Sequence, residues 1–151
     1  MRHLTDISNE DRLFMSEVVG FNTLIVCIGN TCRSVILHSL LEHNKKSNHN
    51  YFSAGIFVKE KEILDNTKRV LFENAINPCK VIPQSIQDSK FNFTFDRVVI
   101  LDKSIKIEDL SGISYKKLTR YDISDPEGED LSFYQNTFSE LLKCFDDLLS
   151  N

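Results

Sequence analysis

Thr23-Leu24-Ile25-Val26-Cys27-Ile28-Gly29-Asn30-Thr31-Cys32-Arg33-Ser34 is the stretch that decides the fold. Its first five residues form a short β-branched and apolar run, the pattern of a strand buried on both faces. Gly29 and Asn30 then signal a turn. Ile36, Leu37, Leu40 and Leu41 recur at helical spacing behind Ser34, the expected N-cap.

Outward from this unit, strands are expected at Tyr51 to Ala54, Arg97 to Leu101 and, more weakly, Lys116 to Thr119. Helices are expected at Ile63 to Asn74, over the short span Ser104 to Leu110, and from Leu131 to Leu148, where seven apolar residues mark a wide stripe. Strands alternating with helices predict an α/β domain of three layers, a four-stranded parallel sheet flanked by helices on both faces. Ligands in such sheets bind beyond the carboxyl ends of the strands, where Cys27 to Ser34 lies. Residues 1–21 read as an N-terminal extension to a single domain over 22–151. Ser8 and Asp11 resemble a helix start there, and Leu4, Ile7, Phe14 and Val18 give one apolar face.

The 151 residues are 41% apolar and 26% charged, with five Gly and three Pro, which excludes disordered and collagen-like classes. A chain this long buries roughly two thirds of its unfolded surface, so its core needs no disulfide or metal. The longest apolar run is Leu24 to Ile28, far short of the ~20 residues of a membrane span. Acids interrupt the leader before a signal peptide forms, so the expectation is a cytoplasmic protein without a membrane partner. A net charge of −4 with scattered bases argues against nucleic acid. Cys27, Cys32, Cys79 and Cys144 are spaced for thiols in a reducing compartment rather than for paired zinc knuckles.

The chemistry sits in Cys27 to Ser34. A loop that opens a helix converges its backbone N–H groups on a tetrahedral oxyanion, and the helix dipole adds positive potential. The candidate binding residues are therefore Ile28, Gly29, Asn30, Thr31, Cys32 and Ser34. Arg33 supplies two parallel charge-assisted hydrogen bonds, which a lysine does less well. The same field favours a thiolate at Cys27, toward which Ser34 can donate. Asn30 suits a left-handed backbone, and Gly29 a close approach to the anion. A cysteine closing a buried strand is by itself a packing residue; the whole string between strand and helix makes Cys27 a nucleophile. Cys32 reads either as a small loop residue or as the resolving thiol of an oxidised Cys27. Cys79 and Cys144 read as packing residues.

The sequence resembles the low-molecular-weight protein tyrosine phosphatases, with the thioredoxin-coupled arsenate reductases as relatives. The likeness runs over roughly residues 22–149, through Leu24 to Ser34, Ser53-Ala54-Gly55, Phe95 to Asp102 and Asp125-Pro126 in that order. It implies a flavodoxin-like fold, a phosphocysteine formed on Cys27, phosphoryl oxygens held by Arg33 and the loop amides, and Asp125 as the acid. It implies no metal and no cofactor, and as substrate a phosphotyrosine protein or small aryl phosphate. Locally, Asp-Pro is also a common turn signal. Val35 stands where the family usually has proline, His38 where it has glutamate, and Glu127-Gly128 where many members carry aromatics. Phe57 is a candidate replacement wall, with packing as its other reading. Arsenate reduction and oxyanion binding without turnover are the alternative functions. The first would need further thiols, and Cys79 stands alone between residues 33 and 143.

Overall fold

The computed structural model describes residues 19–150. Strand β1 (Phe21–Cys27) lies inside a four-stranded parallel sheet between β2 (His49–Gly55) and β3 (Thr94–Ile100), with β4 (Ser114–Arg120) on the edge beside β3. The order β2-β1-β3-β4 reverses direction at β1, because the chain leaves it toward β2 and later returns to its other side. That is the switch point at which loops from neighbouring strands part and leave a crevice.

Leu24, Ile25 and Val26 are fully buried, as a strand covered on both faces requires. By the two-residue period of a strand, Ile25 and Cys27 meet one apolar cluster and Leu24 and Val26 the other. The first cluster takes the α-helices: α1 (Arg33–His43), α2 (Asp65–Glu73) and α3 (Leu131–Ser150). Helix α1 is buried along its whole length from Arg33 to Leu41, so it lies inside the helical layer. Helix α3 contributes the stripe Tyr134, Phe138, Leu141, Cys144, Phe145 and Leu148. Full burial of one such aliphatic or aromatic side chain is worth about 1.5–3 kcal/mol.

Among the described residues the second face carries single 3₁₀ turns rather than α-helices, at Ser89–Phe91 and Ile107–Leu110. Phe91, Ile105 and Leu110 close it over Val98 and Ile100. Phe52, Phe93 and Phe95 pack their rings at its flank, with Phe93 and Phe95 centroids 4.5 Å apart. The helix expected from Ser104 shortens to that second turn. The Asp102 carboxylate accepts from both the Ser104 N–H and its hydroxyl, which fixes a local turn where a helix would begin.

The four expected strands are present and each is longer than its apolar core. β4 extends through lysines that face solvent, which keeps an open edge from pairing with another chain. Cys32, not Ser34, is the N-cap of α1; it makes no side-chain cap bond, and the Ser34 hydroxyl is turned elsewhere. The helix-start signal at Ser8 and the apolar face of the leader lie outside the described residues.

Candidate functional site

The carboxyl end of β1 delivers Cys27 to the switch point, and residues 28–32 curl back over it before α1 begins. Asn30 makes this tight loop feasible. It adopts φ 54°, the left-handed conformation expected of it, and its backbone N–H points to the Cys27 sulfur at 3.3 Å. The loop also rests on Gly55 at the end of β2. A Cβ there would lie 2.7 Å from the Ile28 carbonyl oxygen and 2.8 Å from the Gly29 carbonyl carbon, so only glycine permits this approach.

Ser34 and Asn30 lie behind the loop, both fully buried. The Asn30 side-chain amide donates to the Ser34 hydroxyl oxygen at 2.7 Å, which leaves the Ser34 proton for the Cys27 sulfur, 2.9 Å away. Asn30 Oδ1 in turn accepts from the Gln84 backbone N–H at 2.9 Å and from Lys80 Nζ at 3.1 Å. Two donors on Oδ1 fix which end of the carboxamide faces Ser34, so the relay runs in one direction, toward the sulfur.

Arg33 enters from the first turn of α1 and is 3% exposed. Its Nη1 donates to Asp102 Oδ2 at 2.7 Å and to the Ile123 carbonyl at 2.8 Å, and its Nη2 lies 3.5 Å from Asp125 Oδ2. Burial alone would weaken this cation, but the negative charges of Cys27, Asp125 and Asp102 and the Asp102 hydrogen bond hold it charged and raise its pKa. Partial burial opposes ionisation of Asp102, yet the Ser104 hydroxyl and N–H and the Arg33 guanidinium keep its carboxyl below the ordinary range. Asp125 sits beyond β4 on the outer side of the crevice and is held in a turn by the Glu127 N–H, which donates to Oδ1 at 3.0 Å.

A cavity of about 220 Å³ opens on this arrangement. Cys27, Ile28, Gly29, Thr31, Cys32 and Arg33 form its floor, and Asp125, Glu127, Phe57 and Lys59 its rim. Seven of the expected site residues therefore meet in one place. Asn30 and Ser34 reach it only through the Cys27 sulfur. Phe57 is 66% exposed and lines the rim, outside both apolar clusters. Cys79 lies in a different hollow, of about 330 Å³, with His38 and Glu42. That hollow is the larger, but it holds no pairing of thiol and guanidinium. Burial pushes the thiol of Cys32 up to about 12 and that of Cys79 up to about 11. Among the described residues no group of three His, Cys, Asp or Glu side chains is arranged to hold a metal ion.

Sequence reasoning gave no site role to Asp102, Lys80 or Gly55, although Asp102 and Gly55 lie in segments that carry the family resemblance. Asp102 had a signal, since it stands two residues after the end of β3 and so beside the switch point. Gly55 had one in its place at the end of a strand. Lys80, in a loop between Pro78 and Pro83, had none.

The profile of the family described as low molecular weight phosphotyrosine protein phosphatase matches residues 22–151. A low molecular weight protein tyrosine phosphatase from T. tengcongensis superposes with a TM-score of 0.75 at 27% identity, over 87% of this chain and 99% of its own. The YwlE arginine phosphatase from Geobacillus stearothermophilus gives 0.71 at 25% identity, over 85% and 90%. An arsenate reductase from Archaeoglobus fulgidus DSM 4304 gives 0.67 at 27% identity, over 85% and 99%. No curated protein matches the chain. With a family match that spans nearly the whole of the described domain, on the fold and loop set out above, the chain belongs to the low molecular weight phosphotyrosine protein phosphatase family.

Proposed function

We propose that the chain is a cysteine-dependent phosphatase acting on phosphotyrosine in proteins through a phosphocysteine intermediate. The observation that carries this reading is that Cys27, Arg33 and Asp125 open onto one cavity, with the guanidinium already between two carboxylates. In the first step the Cys27 sulfur attacks phosphorus in line and the ester P–O bond breaks. Asp125 gives its proton to the departing oxygen. In the second step water attacks the phosphocysteine, Asp125 takes back a proton, and phosphate leaves with the thiolate restored. Arg33 and the loop N–H groups carry the charge on the equatorial oxygens throughout. Ile28 and Phe57 supply apolar surface for an aryl ring. Four free cysteines suit action in the reducing cytoplasm, and among the described residues no helix is long and apolar enough to cross a membrane.

Phosphoarginine is the second reading, favoured by polar groups lining the cavity. Thr31, Asp125 and Glu127 offer a hydroxyl and two carboxylates where a guanidinium would stand. Arsenate reduction has less support, because Cys79 is outside the cavity and the Cys32 thiol is held protonated by burial.

Initial rates on a phosphotyrosine peptide, a phosphoarginine peptide and thiol-dependent arsenate reduction, measured side by side, test the reading. Preference for the phosphotyrosine peptide is expected. Preference for phosphoarginine replaces the substrate class, and arsenate turnover without phosphate ester hydrolysis overturns the proposal.

A further inference from the structure

Lys80 is a half-buried cation without a carboxylate. Its Nζ donates to three neutral oxygens: the Ser53 carbonyl at 2.7 Å, Gln84 Oε1 at 2.8 Å and Asn30 Oδ1 at 3.1 Å. Among the described residues no acid lies within ion-pair distance of it, whereas Arg33 shares its charge with Asp102 and Asp125. A lysine is rarely taken out of water without a counter-charge. The hydrogen-bond chain from Lys80 leads through Asn30 and Ser34 to the Cys27 sulfur.

We propose that Lys80 is a positioning residue for Cys27: its ammonium fixes the Asn30 carboxamide so that Ser34 donates to the sulfur, and its charge is answered by the thiolate. Burial lowers its pKa to about 8, while the nearby Cys79 and Cys27 charges act to raise it and Lys90 to lower it, so the ammonium form still predominates at neutral pH. Cys27 thus interacts electrostatically with two cations of different kinds. One is in the cavity and meets the anion; the other is behind the loop and meets only the relay.

The role rests on Cys27 being the reactive thiol, and its test does not need turnover. Iodoacetamide alkylation of Cys27, followed by peptide mass spectrometry, reads thiolate reactivity directly in the full chain. In Lys80→Met or Lys80→Gln, alkylation at mildly acidic pH should slow by a few-fold, because the cation acts on the sulfur through Asn30 and Ser34 rather than by contact. Lys80→Arg should restore most of it. Equal rates in wild type and the folded neutral variants overturn the proposal, as does Lys80→Arg reacting no faster than Lys80→Met. A reciprocal measurement needs no substitution: capping Cys27 with iodoacetamide must make the Lys80 side chain titrate at lower pH by NMR. An unchanged Lys80 titration contradicts the coupling. If this coupling holds while no phosphate substrate turns over, the phosphatase reading fails and the positioning role stands.

Discussion

Asp125 Oδ2 lies 3.5 Å from Arg33 Nη2, so the carboxylate on the rim and the cation on the floor form one cluster. This contact joins the two ends of the proposed reaction. In the proposed reaction Arg33 would hold the phosphoryl oxygens and Asp125, fixed in its turn by the Glu127 N–H, would serve the leaving group.

Asp125→Asn is therefore expected to do two things. Turnover of substrates with a poor leaving group falls by about 10²- to 10⁴-fold, as loss of a general acid requires, while activated aryl phosphates suffer less. Inhibition by inorganic phosphate becomes several-fold tighter, about the size of removing one like charge at an exposed rim. Steady-state kinetics on phenyl phosphate and an activated aryl ester measure both. A phenyl phosphate rate kept in Asp125→Asn and lost in Glu127→Gln assigns the acid to Glu127.

Gly55→Ala places a methyl group against three backbone atoms of the loop, the farthest 2.9 Å away. Backbone cannot give as a flexible side chain does, so a stability loss of about 1–3 kcal/mol is expected, with activity falling further than stability explains. Gly29→Ala meets only Thr31 side-chain atoms, the nearest at 3.5 Å, and should melt like the wild type. Equal melting points for the two variants would remove Gly55 as the support of the loop.

His38 is 8% exposed and hydrogen-bonded to Ser53 Oγ at 2.8 Å. Burial holds its pKa below the ordinary value, with Glu42 acting to raise it and Lys80 to lower it. In the window below about 6.5 the unfolded chain binds the extra proton first, so stability falls as pH drops. Glu42, held low first by its contact with His38 Nε2 at 3.6 Å, adds a loss only at still lower pH. Urea melts at pH 7 and pH 5.5 should therefore show a smaller difference in His38→Gln than in wild type; an equal or larger difference assigns the acid sensitivity elsewhere.

Cys27 and Cys32 face the same cavity. Mild peroxide is expected to inactivate the protein reversibly through a disulfide between them, and slowly, because the Cys32 thiol at about 12 presents little thiolate. A sulfenic acid on Cys27 should be trapped by dimedone before the disulfide accumulates. Peptide mapping that pairs Cys27 with Cys79 would contradict this.

What the sequence made legible follows from what leaves a periodic or local trace. The run Leu24 to Val26, the turn at Gly29 and Asn30 and the apolar spacing of α1 and α3 each act locally, and each led to its element. The cavity floor came with them, since its residues are contiguous in the chain, although the partners that hold the loop, Gly55, Lys80 and Gln84, are distant in sequence. The second face was less legible, because turns as short as Ser89–Phe91 have no period to detect. Ser34 was misread as a cap because the same hydroxyl serves Cys27, and only the fold shows which partner is nearer. Lys80 was invisible for the same reason: it lies 50 residues from Asn30, and that contact exists only once the sheet has formed.

The central claim is a covalent bond from phosphorus to the Cys27 sulfur. Acid-quenching the wild-type protein during turnover of an aryl phosphate, then mapping the peptide that carries Cys27 by mass spectrometry, tests it most directly. One added phosphoryl group on Cys27, absent from Cys27→Ser together with turnover, is the predicted result. Phosphate release at an undiminished rate from Cys27→Ser would contradict the account.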